Sequence, residues 1–295
     1  MKNNLFKLKL QLSLVILALV TVSCSEDDKL SLKIQETVER GAVIRTISFE
    51  STSFNVFDPE SIFAMTIEEQ DLEDGDLFRD VEIYLDFVDN TESNGITTSQ
   101  EQLLMSLQAS DFSPGPNGLP RTSFSITLSE ALSTIGVTNT PANVTGGDEI
   151  NVRLVLNLTD GRSFTDINAS GNVSGGSFFS SPYAYRAGIK CIPVTPFTGD
   201  YTLDMDDSFG DGWDGAFITV TIDGSSTDYT VSVADGTASS FVINVPGGTS
   251  ELLWEYTPGN FEEEHTYELI APNGSVAAAG GPGPTPGEIV LNICE

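Results

Sequence analysis

Asp80-Val81-Glu82-Ile83-Tyr84-Leu85-Asp86-Phe87 places Val81, Ile83, Leu85 and Phe87 at alternate positions, with Asp80, Glu82 and Asp86 between them. Side chains alternate across a strand with a period of two, so this octet reads as a strand with one face in a core and the other in water. Asn151-Val152-Arg153-Leu154-Val155-Leu156-Asn157-Leu158 repeats the pattern and stops at the turn sequence Thr159-Asp160-Gly161. Further strands are expected at Ala42 to Phe49, Ile62 to Ile67, Thr122 to Thr127 and Tyr183 to Ile189. Ser129 to Ile135 has a helical pattern of about two turns, with Ser129 as its N-cap, and reads as a connector. The spacing predicts an immunoglobulin-like β-sandwich over residues 35–190. Inside it, Glu68 to Asp76 (EEQDLEDGD) reads as a solvated hairpin loop, with cation binding as the alternative.

Residues 191–295 form a second block of short period-2 runs. They are Tyr201 to Met205, Phe217 to Ile222, Tyr229 to Val233, Phe241 to Val245, Leu252 to Tyr256, Thr266 to Ile270 and Ile289 to Ile293. Turn pairs at Asp223-Gly224, Asp235-Gly236, Gly247-Gly248 and Asn273-Gly274 separate them and predict hairpins. The block is expected to be a second antiparallel sandwich, jelly-roll-like, so the fold class is all-β throughout. Cys191 and Cys294 bound it. In an exported chain such an even pair reads as a disulfide clasping the first and last strands, against the alternative of two buried thiols.

Export is read from the first residues. Lys2, Lys7 and Lys9 precede an apolar run from Leu10 to Val22, which is shorter than the ~20 residues a membrane span needs. Residues 1–23 therefore read as a cleavable signal peptide. Val20-Thr21-Val22-Ser23-Cys24 resembles a bacterial lipobox, although Thr21 stands where that pattern prefers Leu. The resemblance implies lipidation of Cys24, with residues 24–34 a lipidated Cys and acidic linker. Ser25-Glu26-Asp27-Asp28 resembles the surface-export signal of lipoproteins in the Bacteroidota, and a plain solvated linker is the alternative.

The 295 residues carry 43 Asp plus Glu against 13 Lys plus Arg, one His and three Cys, a net charge of −30. Removing residues 1–23 takes away three Lys and no acid, leaving −33. Such a balance argues against nucleic acid, whose phosphates need clustered bases. It also argues against attachment to anionic lipid through a basic patch, so the lipid itself must hold the chain. One His excludes a two-His metal site and leaves a single conceivable Ser-His or Cys-His pair.

The most specific segment is Asp204-Met205-Asp206-Asp207-Ser208-Phe209-Gly210-Asp211-Gly212-Trp213-Asp214-Gly215. Carboxylates at 206, 207, 211 and 214 crowd together, and the intervening glycines let the backbone fold tightly. Calcium suits such a set because it accepts hard oxygen ligands in flexible geometry. An EF-hand fails on spacing, since Phe209 or Ile218 falls where that loop requires Gly or Glu. The alternative is a Gly-rich turn whose carboxylates cap backbone N–H groups while Trp213 fills the core. The segment resembles a D-S-Y/F-G-D-G-W-N/D-G module of secreted and surface proteins of the Bacteroidota. Through that resemblance Glu264, in Phe261 to Leu269, becomes a fifth ligand. His265 shares strand parity with Tyr267 and Leu269 and reads as a core residue. Trp213, Trp254 and Tyr256 could stack on a sugar, although alternate aromatics in strands usually fill cores.

Residues 40–191 also resemble an uncharacterised family of flavobacterial surface lipoproteins, in "RGAVIRTIS", "MTIEEQDLEDGDL", "DFSPGPNGLPR", "LTDGRSFT" and "FFSSPYAYRAGIKC". That family tends to accompany starch-utilisation-type uptake systems. The expectation is a non-enzymatic, surface-exposed outer-membrane lipoprotein. It would serve as an accessory binding component of a polymer or peptide uptake system, partnered by outer-membrane uptake proteins and an extracellular polymer or peptide. The alternatives are a structural or adhesive surface protein and, more remotely, a hydrolase using two carboxylates, for which the sequence singles out no pair.

Overall fold

The computed structural model describes residues 41–176 and 178–294. The expected signal peptide, Cys24 and the run Ser25, Glu26, Asp27 and Asp28 lie outside the described residues. Before Cys191 the chain forms β1 (Val43–Ser51), β2 (Ser53–Asn55), β3 (Ile62–Gln70), β4 (Phe78–Val88), β5 (Gln102–Gln108), β6 (Ser113–Pro114), β7 (Pro120–Thr127), β8 (Glu149–Leu158), β9 (Ser163–Phe164) and β10 (Ala184–Lys190). One sheet has the order β1-β3-β7-β6; the other runs β2-β10-β8-β4-β5, with β9 on β8. The pairs are antiparallel except β2 with β10, which is parallel.

Strand β4 buries Val81, Ile83, Leu85 and Phe87, in register with Leu156, Leu154, Val152 and Ile150 of β8. Phe63, Met65 and Ile67 of β3 meet them in one apolar cluster. The connector helix α1 (Leu128–Ile135) is capped by Thr127 rather than Ser129. The Thr127 hydroxyl accepts the Glu130 N–H at 3.1 Å, which places the cap three residues ahead of its donor.

The acidic stretch is a solvated loop only in its second part, where Leu72, Glu73, Asp74 and Asp76 are exposed in a turn. Glu68, Glu69 and Asp71 are buried, and β3 runs through Gln70. Glu68 turns outward between Arg45 (3.0 Å) and Arg121 (2.6 Å). Asp71 accepts the N–H groups of Glu73, Gly75 and Leu77 at 2.7, 3.0 and 2.9 Å, which makes it the organiser of the turn, and among the described residues no cluster able to hold a metal includes it. Glu69 extends the inward row of Phe63, Met65 and Ile67, and among the described residues neither of its carboxyl oxygens has a partner.

Burial, and then the Asp71 charge, push the Glu69 carboxyl up to about 8. The unfolded chain titrates near ~4.3, so between that value and about 8 the folded state binds the extra proton and loses stability as pH rises. Denaturant midpoints should accordingly fall from pH 5 to 8 in the wild type. Glu69→Gln, which keeps the shape without the titration, should flatten that slope; an unchanged slope would remove the buried acid as its source.

After Cys191 the strands are β11 (Gly199–Asp207), β12 (Phe217–Ile222), β13 (Ser225–Tyr229), β14 (Ala238–Val245), β15 (Leu252–Thr257), β16 (His265–Ile270), β17 (Val276–Gly280) and β18 (Gly287–Glu288). They form two sheets, β14-β11-β16-β17 and β13-β12-β15-β18, around a separate apolar cluster. The strand expected at Tyr229 to Val233 ends at Tyr229 instead. Asp223 and Gly224, at φ +47° and +79°, make a two-residue hairpin turn that folds the chain back at once into Ser225.

Ile289 to Ile293 is not a strand either. It crosses between the sheets: Ile289 N–H donates to Trp254 O (2.8 Å), Asn292 N–H to Ala277 O (2.8 Å) and Ile293 N–H to Cys191 O (2.7 Å). There Cys191 and Cys294 form a disulfide, with their Cα atoms 5.0 Å apart. The bridge joins the segment after β10 to the segment after β18 and does not clasp the first and last strands.

Both sandwiches belong to one compact unit that begins at Ala42. Gly146, ahead of β8, packs on both sulfur atoms, where a Cβ would collide with them. Asn55 of β2 brackets Ile192, donating to its carbonyl at 2.8 Å and accepting its N–H at 3.0 Å. Among the described residues no helix is long and apolar enough to cross a membrane.

Candidate metal centre

Strand β11 continues to Asp207, and this decides which acids can converge. Adjacent residues on a strand face opposite sides, so Asp206 is exposed while Asp207 is buried. Asp206 contributes only its carbonyl, which accepts the Trp213 indole N–H at 2.9 Å. The Asp207 carboxylate instead enters the following loop. Its Oδ1 accepts the Phe209 N–H at 3.1 Å, and its Oδ2 accepts those of Gly210, Asp211 and Gly212 at 2.9, 2.9 and 2.8 Å. Burial opposes its charge, but the N–H groups of Gly212, Phe209, Gly210 and Asp211 outweigh it and hold the carboxyl below the usual range.

The loop needs glycine at 212. Its φ is +94°, and a Cβ there would come within 2.8 Å of the Val231 carbonyl oxygen. This close approach lets the Trp213 N–H reach the same carbonyl at 2.9 Å and sends the indole into the core. There it stacks on His265, with ring centroids 5.1 Å apart, and meets Tyr256 edge-on. Trp213, Trp254 and Tyr256 are all buried. They are core rings and offer no face to a sugar. His265 is buried as well, with Nδ1 3.4 Å from the Tyr256 hydroxyl.

Glu264 arrives from the short turn before β16. Asp207 pairs with His265 across the sheet, and Ser208 N–H donates to Glu264 O at 3.0 Å. Asp207, Asp211 and Glu264 each present a carboxylate oxygen within 4.8 Å of the others. Burial, followed by the charges of Asp207, Asp211, Glu263 and Asp214, raises the Glu264 carboxyl above its ordinary value. Asp214 lies outside the triad in a left-handed conformation, φ +44°, with Oδ2 buried and, among the described residues, unpartnered.

Of the five acids expected from the sequence, three converge. Asp206 points away, and Asp214 acts on the cluster through its field. The turn-capping alternative also holds, because Asp207 caps the loop while remaining part of the triad. An all-oxygen set whose members repel one another fits a hard divalent cation.

No protein-family model and no curated protein matches the chain. Among solved structures, red sea bream transglutaminase is similar over 80% of this chain and 32% of its own, at 10% identity and a TM-score of 0.25. The chain thus spans about a third of that protein's length.

Proposed function

We propose that the chain is a lipid-anchored, outward-facing protein of the bacterial outer membrane, a non-enzymatic binding component of a polymer or peptide uptake system whose second sandwich is fixed by calcium. The convergence of Asp207, Asp211 and Glu264 supports the calcium reading most directly. Asp207 keeps lone-pair capacity on Oδ1, which accepts one hydrogen bond from the loop, that of Phe209. Asp211 is exposed and Glu264 half-buried, so both can turn toward an ion. Calcium would supply positive charge that relieves their repulsion and would tie the loop after β11 to the start of β16.

Extracellular calcium sites of ~10⁻⁴ to 10⁻³ M affinity are occupied outside cells. At a tenfold excess over the dissociation constant, about 1 to 10 mM calcium for such a site, the ion stabilises by about 1.4 kcal/mol. Calcium at millimolar concentration should therefore raise the melting temperature of the full chain above that in chelator, and Asp211→Ala should abolish the difference. Coincident wild-type curves would take the metal out of this protein's function.

The anchor rests on Ser23-Cys24 and the surface orientation on the acidic run that follows. Cys24→Ala should release the protein from membranes or leave it unprocessed. Replacing Glu26, Asp27 and Asp28 by Ala should leave it lipidated but protected from protease added to intact cells. Digestion as fast as wild type would refute the export reading. Retention of a polymer on glycan or peptide arrays tests the binding role, which a blank array would end.

A further inference from the structure

The second sandwich has an open edge. Asp223 N–H donates to Glu251 O. In an antiparallel ladder, bonding direction alternates residue by residue. Glu251, Leu253 and Glu255 therefore aim their backbone groups at β12, while Leu252, Trp254 and Tyr256 aim theirs the other way. On that other side β18 pairs only with Glu255 and Tyr256. Ile289 adds one bond to Trp254 O before the chain leaves for Ala277 and Cys191. The Leu252 N–H and C=O are left facing a gap, and among the described residues neither has a hydrogen-bond partner.

The gap is a groove of about 290 Å³ between β15, the departing segment at Ile289 to Leu291, and the linker Pro193 to Phe197. Trp254 lines it, and among the described residues its buried indole Nε1–H has no acceptor. A donor and an acceptor side by side on a strand edge match another extended backbone, the mode by which peptides add a strand to a sheet.

Charge selects among such peptides. Residues 191–295 contain nine Asp, eight Glu and no Lys or Arg. Glu251, Glu255 and Glu288, all exposed, stand along this edge. A ligand seated here meets acids and must bring its own cations.

The geometry points to a strand-addition site for an extended basic peptide along the free edge of β15 at Leu252. This assignment rests on the binding role proposed above, to which it adds a ligand class. Electrostatic attraction draws the peptide in, and backbone pairing with Leu252 holds it in register.

The test uses the full chain and a fluorescein-labelled, capped hexapeptide of alternating Val and Lys, followed by anisotropy. Saturable binding is expected, at least tenfold weaker for the same peptide N-methylated at alternate backbone nitrogens, and lost for its Val-Glu counterpart. Leu252→Pro removes the outward N–H without touching a bond to β12, and it too should weaken binding at least tenfold. Equal affinity for the N-methylated and parent peptides would overturn the assignment, leaving attraction by charge alone. Dimerisation that Leu252→Pro abolishes, without peptide binding, would give the edge to a second copy of the chain and would also overturn it. If no peptide binds while arrays still retain a polymer, the groove assignment falls and the binding role stands; if array retention fails too, both fall.

Discussion

Asp207→Ala is expected to lower the stability of the second sandwich by about 3 kcal/mol in chelator, and by more in calcium, where it also removes a ligand. The substitution strands four backbone N–H groups that now converge on one carboxylate. A fully buried orphan donor costs ~1–3 kcal/mol, and partial access to water brings the sum for four down to this level. In a sandwich of this size the loss corresponds to roughly 10 °C or more in melting temperature. Asp211→Ala is the contrast: Asp211 is exposed and accepts none of these bonds, so its removal should matter only when calcium is present.

The same carboxylate predicts acid sensitivity. A folded-state pKa held below the unfolded ~3.9 contributes stability that is complete above that value and is lost as pH falls through the depressed one. Calorimetry of the two variants, each with and without the ion, separates the roles. A loss in Asp207→Ala that appears only in calcium, as in Asp211→Ala, would make Asp207 a ligand and nothing more.

Removing the disulfide should cost more. Cys191 and Cys294 are 103 residues apart, and closing a loop of that length is worth about 4 to 5 kcal/mol in the chain-entropy model. Cys191→Ser combined with Cys294→Ser should lower the denaturant midpoint of the second sandwich accordingly. A loss under about 1 kcal/mol would mean that the hydrogen bonds from Ile293 to Cys191 O and from Cys191 N–H to the Asn292 side chain (2.6 Å) already hold the two ends together. Peptide mapping without reductant gives an independent check, since two alkylatable thiols in the native protein would contradict the bridge.

Strands that carry an apolar face are readable from their period alone. The registers of β4, β8 and β12 follow from alternation, because a one-residue slip would put every core side chain in water. Strand β13, Ser-Ser-Thr-Asp-Tyr, is mostly exposed, and β17 is built largely of Ala and Gly. Neither has an alternation to read, and pairing with a neighbour alone makes them strands. Ile289 to Ile293 misleads for the opposite reason. Its apolar residues are buried by crossing the end of the sandwich, where Ile289 and Ile293 face inward without a ladder.

At the candidate centre, Asp207 and Asp211 are legible as carboxylates beside glycines. Asp206 misleads because the strand before the motif extends through it and turns its side chain away. Glu264 stands 57 positions from Asp207, and no local spacing could bring it in; the likeness to a known module supplies it, and the pairing of Asp207 with His265 explains it. Glu69 leaves no trace in the pattern, since a buried acid in line with Phe63, Met65 and Ile67 looks like ordinary turn chemistry.

The bridge between Cys191 and Cys294 also decides how the molecule would respond to being pulled. Tension that enters at Cys191 and leaves through Cys294 passes across one covalent bond, and the intervening sandwich hangs from that point as a side loop. About 350 Å of extended chain, at ~3.3–3.6 Å for each of the 103 residues, stays out of reach of the force until a reductant opens the bond. On the cell-surface tether proposed above, the second sandwich would keep its shape under drag that could unravel an unbridged neighbour.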